Sequence, residues 1–460
     1  MNNQQTPISA SSRPPQPQDP REPHPQEPGQ AAAGTAGRYA RIFALAGRGF
    51  IPVAFLARLP LAMLTVGALT LVTSVTGSYA TGGLAAGAVG IGSALGAPIL
   101  GFAADRVGQR PILLSAAIVN PLATALVLYM AYLLSDGSSA AGILAAAFLM
   151  GATCPQVGPL ARVRWMSMTS RRPAGPATGT EGARDLDTAM SYEGTADELS
   201  FVLGPALVGL LAAAVAPWLP LALAAVLTLT MVAAFAVHPT VKTVIPARAA
   251  KAARSAAAAS GEPEPAVAAE PRADWLLIAL PVLGMVAMGT FFGGTQTSLT
   301  AFGGVFGISS AAGLLYAVMG ISSAAAALSV AFWPERFGPA ARWMAAAAAM
   351  TAFSVLLLFP TNIPTMLAAL FILGIPVGPT MVSIFGIGAV VAPGHLMGTV
   401  MTMLASGVVT GTALGAALAG RLADSHGHQA AFLVTVGAAA ALLLLSLCTR
   451  WAVAARRRRA

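Results

Sequence analysis

The sequence predicts an all-α membrane protein: twelve transmembrane helices in two pseudo-symmetric six-helix bundles. Three observations predict it. Of 460 residues, 56% are hydrophobic and only 9% are charged, where a soluble domain carries about 25% charged residues. The apolar stretches, at ~20 residues per span, hold about a dozen helices. The chain also resembles itself after a shift of 230 residues.

The elements follow in order. Residues 1–45 begin with a polar stretch that includes RPPQPQDPREPHPQEPGQ at 13–30. Such a segment buries too little apolar surface to fold, so a disordered cytoplasmic tail is expected. A first bundle occupies 46–237. Its spans run about Phe50–Val75, Gly82–Ala103, Pro111–Leu134, Ala140–Leu160, Leu199–Ala216 and Leu219–Val237. The polar stretch 165–197 reads as a long loop between the fourth and fifth. Residues 238–274, rich in Ala, Pro, Glu and Arg, read as a flexible cytoplasmic linker. A second bundle occupies 275–453, with spans about Trp275–Ser298, Ala311–Phe332, Trp343–Phe359, Pro364–Ile387, Gly398–Ala419 and Ala430–Val453. Residues 454–460 form a basic cytoplasmic tail. Pro155 and Pro159 in the fourth span, and Pro376 and Pro379 in the tenth, are expected to kink them.

The basic residues test this count. With the N-terminus inside, 24 of the 26 Lys and Arg residues fall in the tails and the cytoplasmic loops, leaving Arg58 and Arg421. Missing or adding one helix scrambles that bias. Both termini are therefore expected in the cytoplasm of a cell carrying the protein in its plasma membrane. Reporter fusions after Asp136, Pro217 and Asn362 should read outside, and fusions after Arg171 and Arg254 inside. An outside reading at Arg254 defeats the six-plus-six account.

The repeat aligns the second span with the eighth. Ten residues in the thirty from 81 to 110 are identical to those 230 positions later, including Gly83, Ser93, Arg106 and Gly108 against Gly313, Ser323, Arg336 and Gly338. Asp105 meets Glu335. Parallel repeats of this kind mark one class of secondary transporter.

The segment Gly101-Phe-Ala-Ala-Asp105-Arg106-Val-Gly108-Gln-Arg110 resembles the loop signature between the second and third spans of the major facilitator superfamily. The degenerate copy at Glu335-Arg336-Phe-Gly338 extends the resemblance, which covers about residues 45–453. It implies a gate: Asp105 facing the N-terminal end of the eleventh span, where a helix dipole favours an anion. The glycines permit a tight turn and close approach. The family fold also implies that Gly83-xxx-Gly87 and Gly92-xxx-Gly96 on the second span, and Gly407-xxx-Gly411-xxx-Gly415 on the eleventh, meet across the bundle interface, although such stripes equally serve general helix packing.

Charged and polar residues at membrane depth supply the remaining candidates. Arg58 sits in an apolar run and reads either as a snorkelling anchor or as a cavity-facing cation. Glu198 reads as a favourable acid in a first helical turn or as a proton-coupling carboxylate, with Arg58, Arg162 or Arg164 as partner. Asn120, Tyr129, Gln156, Gln296, Thr297 and Tyr316 are expected on a central substrate cavity, with Phe291 and Phe292 as apolar wall.

No Gly-rich phosphate loop with a Lys, no H-E-x-x-H and no G-x-S-x-G occurs, so nothing points to ATP hydrolysis or an intramembrane enzyme. Neither a cofactor nor a metal is expected, and Cys154 and Cys448, both in or beside apolar runs, make no framework. The net charge of +9 lies in anchoring loops and does not mark a nucleic-acid partner. The expected partners are a small-molecule substrate, protons and the lipid bilayer, with the chain a monomer. The expectation is proton-coupled efflux of a small, largely apolar molecule by alternating access. Uptake or uniport of a sugar or metabolite, and a non-transporting sensor or scaffold on a transporter fold, stay open beside it.

Overall fold

The computed structural model describes residues 28–47, 49–135, 140–170, 176–259, 273–308, 312–334 and 336–459. Glu335 and the tail 1–27 lie outside the described residues.

Eleven helical segments are long and apolar enough to cross a membrane. The first half comprises α1 (Pro28–Ala46), α2 (Phe50–Thr76), α3 (Tyr79–Val107), α4 (Gln109–Ser135), α5 (Ala140–Ala152), α6 (Val157–Ser170), α7 (Pro176–Ala214), α8 (Leu219–Leu227) and α9 (Ala233–Val237). A π-turn, Thr228–Val232, joins the last two into one span. After α10 (Ala247–Ala259) the second half comprises α11 (Trp275–Val305), α12 (Ala312–Ser329), α13 (Pro339–Ser354), α14 (Ile363–Val391) and α15 (Met397–Arg459).

The 63 residues of α15 cannot be one span. At 1.5 Å per residue a straight helix of that length is about three times the ~30 Å hydrocarbon core. The chain reverses at Gly427 (φ 82°, ψ 178°), a conformation reserved for glycine. Its limbs lie side by side: Gly415 abuts Thr290 of α11, while Thr435 meets Thr295, barely more than a turn further on, at 3.2 Å. Counting both limbs, the described residues hold twelve spans.

Each half has its own apolar core. Met63, Leu64, Val127, Ala147 and Leu221 fill part of the first. Met288, Phe291, Trp343, Leu373 and Phe432 fill the second. The second and eleventh spans meet as expected, but Gly92, Gly96, Gly411 and Gly415 pack helices inside each half, and Gly83 and Gly87 meet nothing. A β-carbon at Gly92 or Gly96 would strike the backbone of α5 at Phe148 or Ala152. Gly411 and Gly415 abut Val286 and Thr290 of α11 in the same way.

Three further expectations change. Residues 28–46 form a helix and are not disordered, because Tyr39, Ile42 and Ala46 find apolar and hydrogen-bonding partners on both halves. The stretch before the fifth span is helical from Pro176 and not a loop. Its acids Asp185, Asp187, Glu193 and Asp197 face arginines, which makes a polar helix stable at the bundle wall. Part of the linker is ordered too, as a 3-10 turn Pro239–Thr243 and α10.

The fourth span breaks as expected. Pro155 has no N–H to donate and disfavours helical geometry at Cys154, so α5 ends and α6 begins at Val157. Gln156 occupies the gap and donates Nε2 to the Cys154 carbonyl at 3.1 Å.

Candidate functional site

The two halves meet most tightly at the end that carries the basic loops. Asp105, in the last turn of α3, accepts hydrogen bonds from the backbone N–H groups of Gly398 (2.8 Å) and Thr399 (2.7 Å) and from the Thr399 hydroxyl (2.7 Å). These are the free donors of the first turn of α15, where an anion is most stable. Gly101 lies so close to Thr402 and Gly398 that no side chain fits. Gly108 ends α3 at φ 111°, ψ 152°. Arg106 is exposed and lies 5.0 Å from the Phe102 ring, and Arg110 is exposed.

The second copy of the turn works through different residues. Arg336 is exposed, and Gly338 precedes the Pro339 that starts α13. Arg342, buried in the next turn, donates Nη1 to Asp187 of α7 at 3.0 Å. The Asp105 contact between α3 and α15 thus has a counterpart in the Arg342 contact between α13 and α7, with the charge carried by a residue at a different position of the repeat.

Further contacts cross the halves near this end. Thr195 donates to the Ala324 carbonyl at 3.1 Å and Ser323 to Glu198 Oε1 at 3.0 Å. From α1, Arg38 and Tyr39 donate to the carbonyls of Ala331 (2.7 Å) and Leu328 (3.0 Å), while within the first half Arg41 ties α1 to α7 through Asp185 at 2.6 Å. Burial pushes the Tyr39 phenol up to about 12, so it stays a donor. Moving away, contact is lost. Gly101, Gly90, Gly87 and Gly83 descend one face of α3. A β-carbon would collide at Gly101, meet Val409 at 3.9 Å from Gly90, and meet nothing at the other two. On α12, Gly320 approaches Val202, whereas Gly313 two turns earlier faces open space. The interface is latched at the basic end and splayed at the other.

A charge network lies behind the latch. Arg58 of α2 donates Nη2 to Glu193 (2.8 Å) and Nη1 to Asp197 (3.1 Å), and Arg162 of α6 donates Nη2 to the other Asp197 oxygen (2.7 Å). Trp165 donates its indole N–H to Glu193 at 2.8 Å. Arg58 is only 4% exposed, so it is no snorkelling anchor: its charge is met inside the bundle. The acids that hold these arginines are Glu193 and Asp197, and not Glu198 as expected. Successive residues on a helix point 100° apart, so Glu198 turns instead toward α12 and Ser323. Arg164 stands outside the network. It donates to Gln109 (2.8 Å), the Phe235 carbonyl (2.8 Å) and Thr240 (3.1 Å), tying α6 to the ends of α4 and α9.

The network opens on a cavity of about 50 Å³ between the halves. Arg58, Gln156, Arg162 and Phe201 line it from the first half, and Met381, Phe385 and Ser406 from the second. The break at Pro155 faces it, and irregular backbone is tolerated at membrane depth where it borders such a space. A larger cleft of about 880 Å³ at the basic end is bordered by Asp105, Asp187, Arg342 and His395. Met381 and Phe385 of α14 line the first and Val382 and Gly386 the second, so one helical turn partitions them.

Of the polar and aromatic residues expected on the cavity, Gln156 is there. Asn120 is buried against α5, donating to the Met150 carbonyl and Thr153. Tyr129 is 56% exposed on the outer face of α4. Phe291 and Phe292 belong to the core of the second half. Gln296 is exposed, Thr297 is half-buried toward the splayed end, and Tyr316 is half-buried within electrostatic reach of Glu198. Asn120, Phe291 and Phe292 thus serve helix packing, and Tyr129 and Gln296 are exposed. Phe385, Ser406, Glu193 and Asp197 were missed. The acids had a signal: Glu181, Asp185, Glu193 and Asp197 recur at multiples of four, the spacing of one helix face.

Known proteins share this architecture. The human organic anion transporter TETRAN superposes with a TM-score of 0.62 at 20% identity, over 86% of this chain and 98% of that one. The E. coli fucose:proton symporter FucP gives 0.58 at 14%, over 87% and 99%. The proton:xylose symporter XylE gives 0.60 at 13%, over 89% and 95%. At such identities the likeness is one of fold. No curated protein matches the sequence. The sequence profile of the Major Facilitator Superfamily matches residues 50–406 and also 311–460. Its reach across both halves agrees with the twofold-related latches, and the chain belongs to that superfamily, whose members are membrane transporters rather than enzymes.

Proposed function

We propose that the chain exports a small, largely apolar molecule in exchange for protons, by alternating access between its halves. The positive-inside bias makes the basic end cytoplasmic, so the latched interface is the outward-facing state, in a monomer of the plasma membrane with both termini inside. One observation supports proton coupling above the rest. Glu198 is buried at the seam of the two halves, bonded to Ser323 of the other half, with no cation at ion-pair distance among the described residues. Glu193 and Asp197 share two guanidiniums, whereas an ionised Glu198 has one hydroxyl. Gain or loss of its proton therefore changes the stability of the closed seam. Such a group links proton movement to rocking.

Glu198→Gln is expected to abolish accumulation driven by a pH gradient in inside-out vesicles, while substrate binding and counterflow exchange persist. The amide still accepts the Ser323 hydrogen bond, so the seam closes but no longer titrates. Full gradient-driven accumulation by this variant removes Glu198 as the coupling group. Accumulation by right-side-out vesicles instead would reverse the direction to uptake.

A further inference from the structure

The central cavity holds an unusual surplus of hydrogen-bond donors. Arg162 is 1% exposed, yet only its Nη2 is engaged, by Asp197; Nε and Nη1 have no partner among the described residues. The Ser406 hydroxyl, from the opposite half, is also buried without a partner and lines the same cavity. Buried donors are almost always satisfied, and leaving one unmade is costly. The guanidinium is fixed where it stands: Asp197 holds one edge and the Phe385 ring covers its face at 3.8 Å. The remaining walls are mostly apolar, including Leu61, Phe201, Met285 and Val408, with Ser93, Gln156 and Ser200 among them.

Charge decides what kind of acceptor fits. Arg58 and Arg162 carry two positive charges, and Glu193 and Asp197 carry two negative ones. The network is balanced without a ligand. An anion would add an uncompensated negative charge to a buried cavity, and a cation an uncompensated positive one. A ligand that brings only donors would leave the Arg162 and Ser406 donors unmet.

We infer that the cavity recognises a neutral, apolar molecule carrying a carbonyl-type acceptor, which takes its hydrogen bonds from Arg162 and Ser406 and so bridges the two halves. This rests on the reading of the cavity as the transport site and names the chemistry of its substrate. Because one donor comes from each half, binding pulls the halves together at the cavity, in the manner of an alternating-access carrier.

The test uses four compounds with one aromatic body: acetophenone, ethylbenzene, benzoate and benzylammonium. Their binding to the purified full-length chain in detergent is read by saturation-transfer NMR with titration. Acetophenone is expected to bind about 10-fold or more tightly than the other three, the gain for hydrogen bonds to a charged donor. Ser406→Ala removes one donor without disturbing the ion pairs, and should narrow the acetophenone–ethylbenzene difference several-fold. Arg162→Lys keeps a cation for Asp197 but loses the planar fork, and should narrow it further. Equal binding of all four, binding of none, or tighter binding of benzoate overturns the inference. So does a preference for acetophenone that survives both substitutions. Failure of the transport reading is separate: gradient-driven transport with indiscriminate binding defeats only this inference, while selective binding without transport in vesicles supports it and defeats the transport reading.

Discussion

Replacing Arg58 with Met is expected to cost about 3–5 kcal/mol of stability, the range for removing one partner of a buried ion pair. Glu193 is wholly buried, and Arg58 is its only cation among the described residues. Without it the carboxylate keeps the Trp165 N–H alone, in a bundle where water cannot replace the guanidinium. Asp197 suffers less, since Arg162 still holds its second oxygen. In a half of this size the loss corresponds to a fall in unfolding temperature of about 10 °C, measurable by thermal challenge of the detergent-solubilised chain followed by size-exclusion chromatography. Adding Glu193→Gln should recover much of the loss, because the buried charge goes with its partner. An unchanged unfolding temperature in Arg58→Met would show that the pair contributes nothing to the fold.

Asp105→Asn should act on conformation and leave folding near normal. The carboxylate holds two backbone N–H groups and one hydroxyl at the start of α15. An amide keeps one acceptor oxygen and loses the charge that the helix dipole favours. A loss of about 2 kcal/mol, the upper range for an anion at a helix N-terminus, moves the latched population by about 30-fold. A cysteine placed at Val382, beside the Gly194 contact in the partition, reports it. In a background lacking Cys448, labelling from the basic end by an impermeant reagent should rise at least 10-fold, and transport should fall. Gly108→Leu should compound the effect, because φ 111° with ψ 152° admits glycine alone. Wild-type labelling and transport in the double variant would leave the turn without a gating role and favour a sensor over a carrier.

The sequence announced what composition and periodicity control, and concealed what depends on the rotational setting of a helix. Apolar run lengths marked the spans, and the Asp105 turn with its repeat marked the latch, because those signals are local. Whether Asn120 or Tyr129 faces a cavity, a neighbour or the outside depends on how α4 is turned against α5, and one residue's shift rotates it by 100°. The same ambiguity sent Arg58 and Arg162 to Glu198 in the sequence reading, while Asp197 and Glu193 hold them in the fold. The polar residues 176–198 looked like a loop because a helix whose acids meet buried arginines has no apolar stripe to reveal it. Gln156 reaches the cavity because it follows Pro155, and the proline break at membrane depth borders that space.

The single-residue reversal at Gly427 constrains how the chain enters the bilayer. Residues 397–426 and 428–459 have no loop between them, so the second limb cannot wait in water while the first seats itself. They insert together as a hairpin, its tip carrying Arg421, Asp424, His426 and His428 through the hydrocarbon. Each charged residue opposes that passage by roughly 2.5–3.5 kcal/mol at mid-depth, against two long apolar limbs that favour it. Insertion of the last two spans is then one concerted event. α11 stays half-covered until both limbs arrive, and its Gly289 and Gly293 seam with Val408 and Thr412 closes in the same step as its contact with Thr435.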